Sequence, residues 1–179
     1  KLNFIFFSLG LVRCKVNNYI NNNVLVLKGY RVSMQISIKC SVAVHCLIFI
    51  HEAKGIAKVT SNLLAESTGS NPVVIRNILS ALKKAGLITV PRGTGGAELC
   101  ADPSQITLYQ IYSALEPDGV TSIIGIHPCD GRPCPVAQNI RKVLESPYHK
   151  IEDAVKEAMK EITLKSMIDS FCELADQKT

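Results

Sequence analysis

The sequence predicts a mainly α-helical chain with one small β-hairpin. Three observations support this. Apolar residues recur at three- and four-residue spacing in several stretches, the period of one helix face. Two successive stretches, TSNLLAESTG and SNPVVIRNILSALKKAG, open on N-capping residues and close on glycine. A strand-like pair, LITVPR and AELCAD, then follows across a GTGG turn.

In order along the chain, the first helix is expected over 36–53. Its apolar face would comprise Ile38, Val42, Cys46, Phe49, Ile50 and Ala53, widened by Val44, Leu47 and Ile48. Lys54-Gly55 ends it. A short second helix takes Thr60 or Ser61 as N-cap, carries Leu63, Leu64 and Ala65, and stops at Gly69. The third has Asn71 as N-cap and Pro72 at the first helical position, where a missing N–H costs nothing. Its stripe is Ile75, Ile78, Leu79 and Leu82; Val73, Arg76, Asn77, Ser80 and Lys83 lie off it. Residues 87–92, the turn 93–96 and residues 97–102 form the hairpin. Thr107 and Gln110 stand as a capping box before Leu108, Ile111, Tyr112 and Leu115. One long amphipathic helix is expected over 148–176, with Ile151, Val155, Ala158, Met159, Ile162, Met167, Ile168, Phe171 and Leu174 on its apolar side.

Two helices joined by a tight turn and followed by a glycine-tipped hairpin are the pattern of a winged helix-turn-helix. Charge agrees with that reading. Residues 34–97 hold seven Lys/Arg against Glu52 and Glu66, whereas 98–179 hold eight against thirteen Asp/Glu. The basic half contains the helix-turn-helix and the wing, as a nucleic-acid-binding surface requires.

Residues 1–33 differ from the rest: five basic residues, no acidic one, and six of the chain's ten asparagines, with Met34 next. We expect them to be a non-native or upstream-translated leader. The stretch LNFIFFSLGLV resembles the apolar core of a signal peptide, but a clear basic flank and a small-residue cleavage site are missing. Its eleven residues are too few to span a bilayer. The expected organisation is therefore a leader over 1–33, a winged helix-turn-helix domain over 34–117, a sensor-type loop with a short helix over 118–147, and a dimerisation helix over 148–176. Seven cysteines, an odd count without a convincing export signal, point to free thiols in a reducing cytoplasm.

The run LLAESTGSNPVVIRNILSALKKAGLITVPRGTGGAELCADPSQITLYQIYSALEP resembles the Rrf-two family of bacterial winged-helix transcription regulators, the group of IscR, NsrR and CymR. Its NPVV helix start and downstream CPV element are most similar to the YwnA-like branch. The resemblance covers about 34–172. It implies a cytoplasmic, nucleoid-associated homodimer on a palindromic operator of double-stranded DNA, with a recognition helix in each major groove and a wing in the adjacent minor groove. Repression by promoter occlusion is the default expectation. By position the DNA-binding candidates are Ser70, Asn71, Pro72, Val73, Arg76 and Asn77 on the helix, Arg92, Gly93, Thr94 and Gly95 on the wing, and Lys39 for phosphate. Arginine reads guanine bidentately, asparagine suits adenine, and Val73 can touch a thymine methyl.

The segment IHPCDGRPCPVAQ holds the sensor candidates His127, Cys129 and Cys134. Cluster-binding members of the family supply three cysteines here; this chain offers two, at C-x4-C, so no cofactor is expected. Arg132 between them favours thiolate, so a redox or thiol-reactive switch is favoured over a metal site, and the other reading is that Cys129 and Cys134 are ordinary loop or packing residues. The YwnA-like pattern asks only for the cysteine at Cys134. Cys40, Cys46 and Cys100 are expected to pack in the core. An iron–sulfur or metal-dependent regulator and a winged helix that binds protein rather than DNA remain as alternatives. No nucleophile motif accompanies His127 or His149, so an enzyme is not expected.

Overall fold

The computed structural model describes residues 20–21, 24–27, 30–32, 37–91, 96–116, 119–122, 124–127 and 134–177. The chain divides into two compact units between Ser33 and Met34. In the first, β1 (Ile20–Asn21), β2 (Val24–Leu27) and β3 (Tyr30–Val32) form an antiparallel sheet in that order, with Ile20 opposite Leu25 and Val26 opposite Arg31.

The second unit is helical apart from a two-stranded hairpin. Its elements are α1 (Ile38–Glu52), α2 (Ser61–Thr68), α3 (Pro72–Lys84), β4 (Ile88–Thr89), β5 (Glu98–Leu99), α4 (Leu108–Leu115), α5 (Pro135–Glu161) and α6 (Leu164–Asp176). Helix α1 is the hub, packing on α2, α3, α4 and α6. The core centres on Leu47, Leu64, Ile75, Leu82, Ile111 and Leu164, all fully buried.

Helix α1 buries Cys46, Leu47 and Ile50 of the expected face and packs Val42, Val44, Ile48, Phe49 and Ala53 partly against the core, so only Ile38 departs from it. Cys40, Ala43, Cys46, Leu47 and Ile50 are inside, while Ile38 is 73% exposed. Nearly every side of this helix is apolar, so periodicity alone had no polar face from which to set the phase. Neighbouring helices on several sides set it instead.

Burial also acts on the thiols of α1. Desolvation raises the Cys46 pKa from its ordinary 9.0 to about 11. It raises Cys40 and Tyr112 too, with the Glu116 carboxylate adding to both. A pKa raised by folding gives stability that is complete below the unfolded value and is lost as pH rises towards the folded one. Denaturation midpoints should therefore hold up to about pH 9 and fall towards pH 11, less steeply in Cys46→Ala. Cys100 departs from the core packing expected of it. It follows β5 directly, after exposed Glu98 and half-buried Leu99, and the strand's alternation leaves it exposed. A maleimide probe at neutral pH should label Cys100 and Cys134 well ahead of Cys40 and Cys46.

The C-terminal region is two helices where one was expected over 148–176. Helix α5 begins at Pro135, which also removes the boundary expected at 147. It runs through Pro147, which cannot donate to the Val143 carbonyl; both residues are exposed, so water can take that bond. Helix α5 then stops at Glu161, because the next residues pair with another part of the chain. Leu108 N–H donates to the Ile162 carbonyl (2.8 Å) and Leu164 N–H to the Ile106 carbonyl (2.7 Å), bridging Thr107 to Thr163. Both threonines are N-caps. Thr163 Oγ1 accepts from Ser166 N–H and opens α6, while Thr107 and Gln110 form the expected capping box of α4.

Candidate nucleic-acid interface

Helices α2 and α3 are joined by Gly69, Ser70 and Asn71. Thr60 caps α2, its hydroxyl oxygen accepting from Leu63 N–H at 3.3 Å. Gly69 ends that helix at φ +64°, the left-handed conformation that glycine adopts without strain. Asn71 Oδ1 accepts from Val73 N–H at 2.8 Å and Pro72 follows, so α3 starts where the sequence places it. At its other end Gly86 (φ +75°) allows the chain to fold back, with Leu87 N–H on the Leu82 carbonyl and Gly86 N–H on that of Lys83. This closure delivers Leu87 and Ile88 into the core and starts the hairpin beside α3.

Ile75, Ile78 and Leu82 anchor α3 inside, which turns its opposite side to solvent. Val73 is 55% exposed, and Arg76, Asn77, Ser80 and Lys83 are exposed with it. An exposed valine beside polar residues at a helix start has the chemistry to meet a thymine methyl. Ser70 and Pro72 are half-buried at the turn. Asn71 is exposed, but its carbonyl oxygen is committed to the cap, so of the two asparagines only Asn77 keeps both halves of its amide for a bidentate contact. Lys39 is separate from this group: it pairs with Glu116 at 3.6 Å. The strands of the hairpin pair Ile88 with Leu99 and Thr89 with Glu98, shorter than the six-residue strands expected. Arg92, Gly93, Thr94 and Gly95 lie outside the described residues.

A family model described as an iron-dependent transcriptional regulator, Rrf2, matches residues 36–170. The chain belongs to the Rrf2 family. It is thus a member of a family of transcriptional regulators, not enzymes. The HTH-type transcriptional regulator YwnA of Bacillus subtilis (strain 168) is 30% identical over 134 residues, spanning 75% of this Rrf2 chain and 97% of YwnA. Among solved structures, a transcriptional regulator from Lactobacillus plantarum superposes with a TM-score of 0.61 at 26% identity, over 79% of this chain and 99% of that one. A protein described as DNA-binding superposes at 0.59 with 29% identity, over 73% and 98%. The winged-helix architecture of the Rrf2 chain is shared with these structures.

The family's description raises iron, and the segment ahead of α5 is where donors would be sought. Its His127 is exposed, Cys134 is exposed at the N-cap of α5, and Cys129 lies outside the described residues. Among the described residues no three His, Cys, Asp or Glu side chains come together as a metal-sized group. Iron–sulfur clusters take four protein donors. This segment supplies two thiols and one imidazole, three donors where a cluster takes four. Among the described residues no helix is long and apolar enough to cross a membrane.

Proposed function

We propose that this Rrf2 chain is a cytoplasmic, nucleoid-associated homodimeric repressor that binds a palindromic operator. The N-terminal half of α3 enters the major groove and the wing enters the adjacent minor groove. The observation that supports this reading is the solvent-facing start of α3, where Val73 and Asn77 stand exposed on a helix held rigidly from behind by Ile75, Ile78 and Leu82. Ser70, Asn71 and Pro72 set the helix start against the DNA, and the N-terminal N–H groups add attraction for phosphate. Arg92, Gly93, Thr94 and Gly95 are the wing contacts in this reading. Lys39 is a peripheral phosphate contact, released from Glu116 on binding.

Dimerisation accounts for the apolar residues left on the outside of the long helices. Val136, Val143 and Ile151 are exposed along α5, and Phe171 and Leu174 along α6. An exposed apolar row of that length is more than a monomer usually carries. Ile151→Glu should convert a dimer to a monomer in sedimentation velocity and weaken operator binding at least tenfold, since each half-site alone binds with much lower affinity.

The signal in this reading is thiol oxidation. Cys134 is exposed at the start of α5, and Cys129 lies five residues before it in sequence. Loss of two protons and two electrons from the pair to a peroxide or a disulfide would close a disulfide ahead of α5. The test is a mobility-shift titration of the full chain on its own promoter and on a scrambled duplex, with and without reductant, at physiological salt. Promoter-specific binding that changes with reductant, and no longer does so in Cys134→Ser, supports the whole reading. Specific binding indifferent to reductant removes the switch alone, and no specific binding overturns the function.

A further inference from the structure

Between α3, the start of α2 and the base of the wing runs an open cleft of about 430 Å³. Three cations line it: Lys58 from the segment before α2, and Arg76 and Lys83 from α3. Thr60 and Ser61 add hydroxyls, and no acidic side chain is present among the lining residues. Arg76, Ser80 and Lys83 recur at four- and three-residue spacing and so form one stripe of α3, turned towards the wing. Val73 continues that stripe one turn nearer the helix start and Asn77 lies beside it, and neither is part of the lining.

The position of Lys58 is fixed by backbone contacts. Ala97 N–H, at the foot of the wing, donates to the Val59 carbonyl at 3.1 Å. Gly96 lies so close that a Cβ there would stand 3.3 Å from the Val59 nitrogen. The wing is thus clamped to the Lys58–Val59 segment, and the cleft has two rigid walls. The Thr60 hydroxyl accepts from Leu63 N–H and still has its own proton to donate.

In B-form DNA a major groove and the minor groove next to it are separated by a single sugar–phosphate strand. If α3 occupies the first and the wing the second, that strand must pass between them. We propose that this cleft is its seat: Lys58, Arg76 and Lys83 neutralise successive phosphates, Thr60 and Ser61 donate hydrogen bonds to them, and Arg76 holds the strand rather than reading a base. The inference rests on the DNA-binding reading above and adds to it a phosphate site and a division of labour along α3.

Such contacts release counterions, so they show in the salt dependence of binding and not in sequence preference. The experiment titrates the full chain on its promoter duplex and on a scrambled duplex over a series of salt concentrations. The variants are Lys58→Gln, Lys83→Gln and Arg76→Gln, with Lys58→Arg and Lys83→Arg as charge-retaining partners and Lys54→Gln as an exposed lysine outside the cleft. Each substitution removes one cation from each of the two subunits, so it is expected to reduce the slope of log K against log salt by about 1.8. Affinity should fall by a similar factor on both duplexes, leaving their ratio unchanged, while the arginine variants and Lys54→Gln keep the wild-type slope. If the wild type binds its promoter specifically but Lys58→Gln and Lys83→Gln leave the slope unaltered, the cleft is not the strand's seat. A collapse of the promoter-to-scrambled ratio in Arg76→Gln would return that arginine to base reading. If the wild type binds neither duplex, the parent reading fails and this one fails with it.

Discussion

Asn77→Ala is expected to lower affinity for the promoter duplex by about 1–3 kcal/mol, roughly 5- to 150-fold, while leaving affinity for scrambled DNA almost unchanged. The asymmetry follows from geometry. Asn77 stands exposed on the face of α3 opposite Ile75 and Ile78, whereas Asn71 has its carbonyl oxygen bound to Val73 N–H and caps the helix. Asn71→Ala should therefore act differently: a lost cap costs about 1 kcal/mol of stability and loosens the helix start for every sequence alike. Parallel titrations of the two variants on both duplexes separate base reading from scaffolding. Equal losses on promoter and scrambled DNA in Asn77→Ala would remove it from the reading face.

Leu47→Ala should be the most damaging single truncation in α1, costing about 2–5 kcal/mol. Leu47 is fully buried in the middle of the hub helix, where a cavity is bordered by elements that cannot all move inward. Against a typical domain stability of about 5–15 kcal/mol, that loss leaves a chain near its unfolding threshold. Ile38→Ala removes as large a side chain from the same helix, yet should change stability by less than about 0.5 kcal/mol, because Ile38 is already in solvent. Urea unfolding of both variants, with midpoint and slope fitted separately, checks the pair. A large loss at Ile38 would mean that a second copy of the chain covers it in solution.

The contrast between those two residues shows where sequence reasoning succeeded and where it did not. Features governed by a few adjacent residues were legible: the caps at Thr60, Asn71 and Thr107, the helix-ending glycines 69 and 86, and the presence of a hairpin after α3, though not its register. The stripe of α3 was legible as well, because polar residues on its other side gave the apolar period a phase. Helix α1 offered no such contrast, and Ile38 was placed on the wrong face. The boundary expected at 147 falls inside α5, which continues through Pro147. The break at Ile162-Thr163 had a local signal in the capping threonine, but a continuing apolar period obscured it.

The cleft at the wing's foot belongs to the second kind. Lys58, Arg76 and Lys83 could be counted as basic residues from the sequence, but nothing in their spacing relates Lys58 to the other two. Sequence by itself determined that this is a helix-turn-helix with a hairpin behind it, since caps, glycines and a biased apolar period act over a few residues and need no partner. Only tertiary structure decided that Ile38 stays outside at the start of α1, where the C-terminal helices divide, that Cys100 faces out, and that three separate cations share one cleft. Each of those depends on which distant backbone or helix comes to lie alongside: Val59 against Ala97, Ile106 against Leu164, four helices against one.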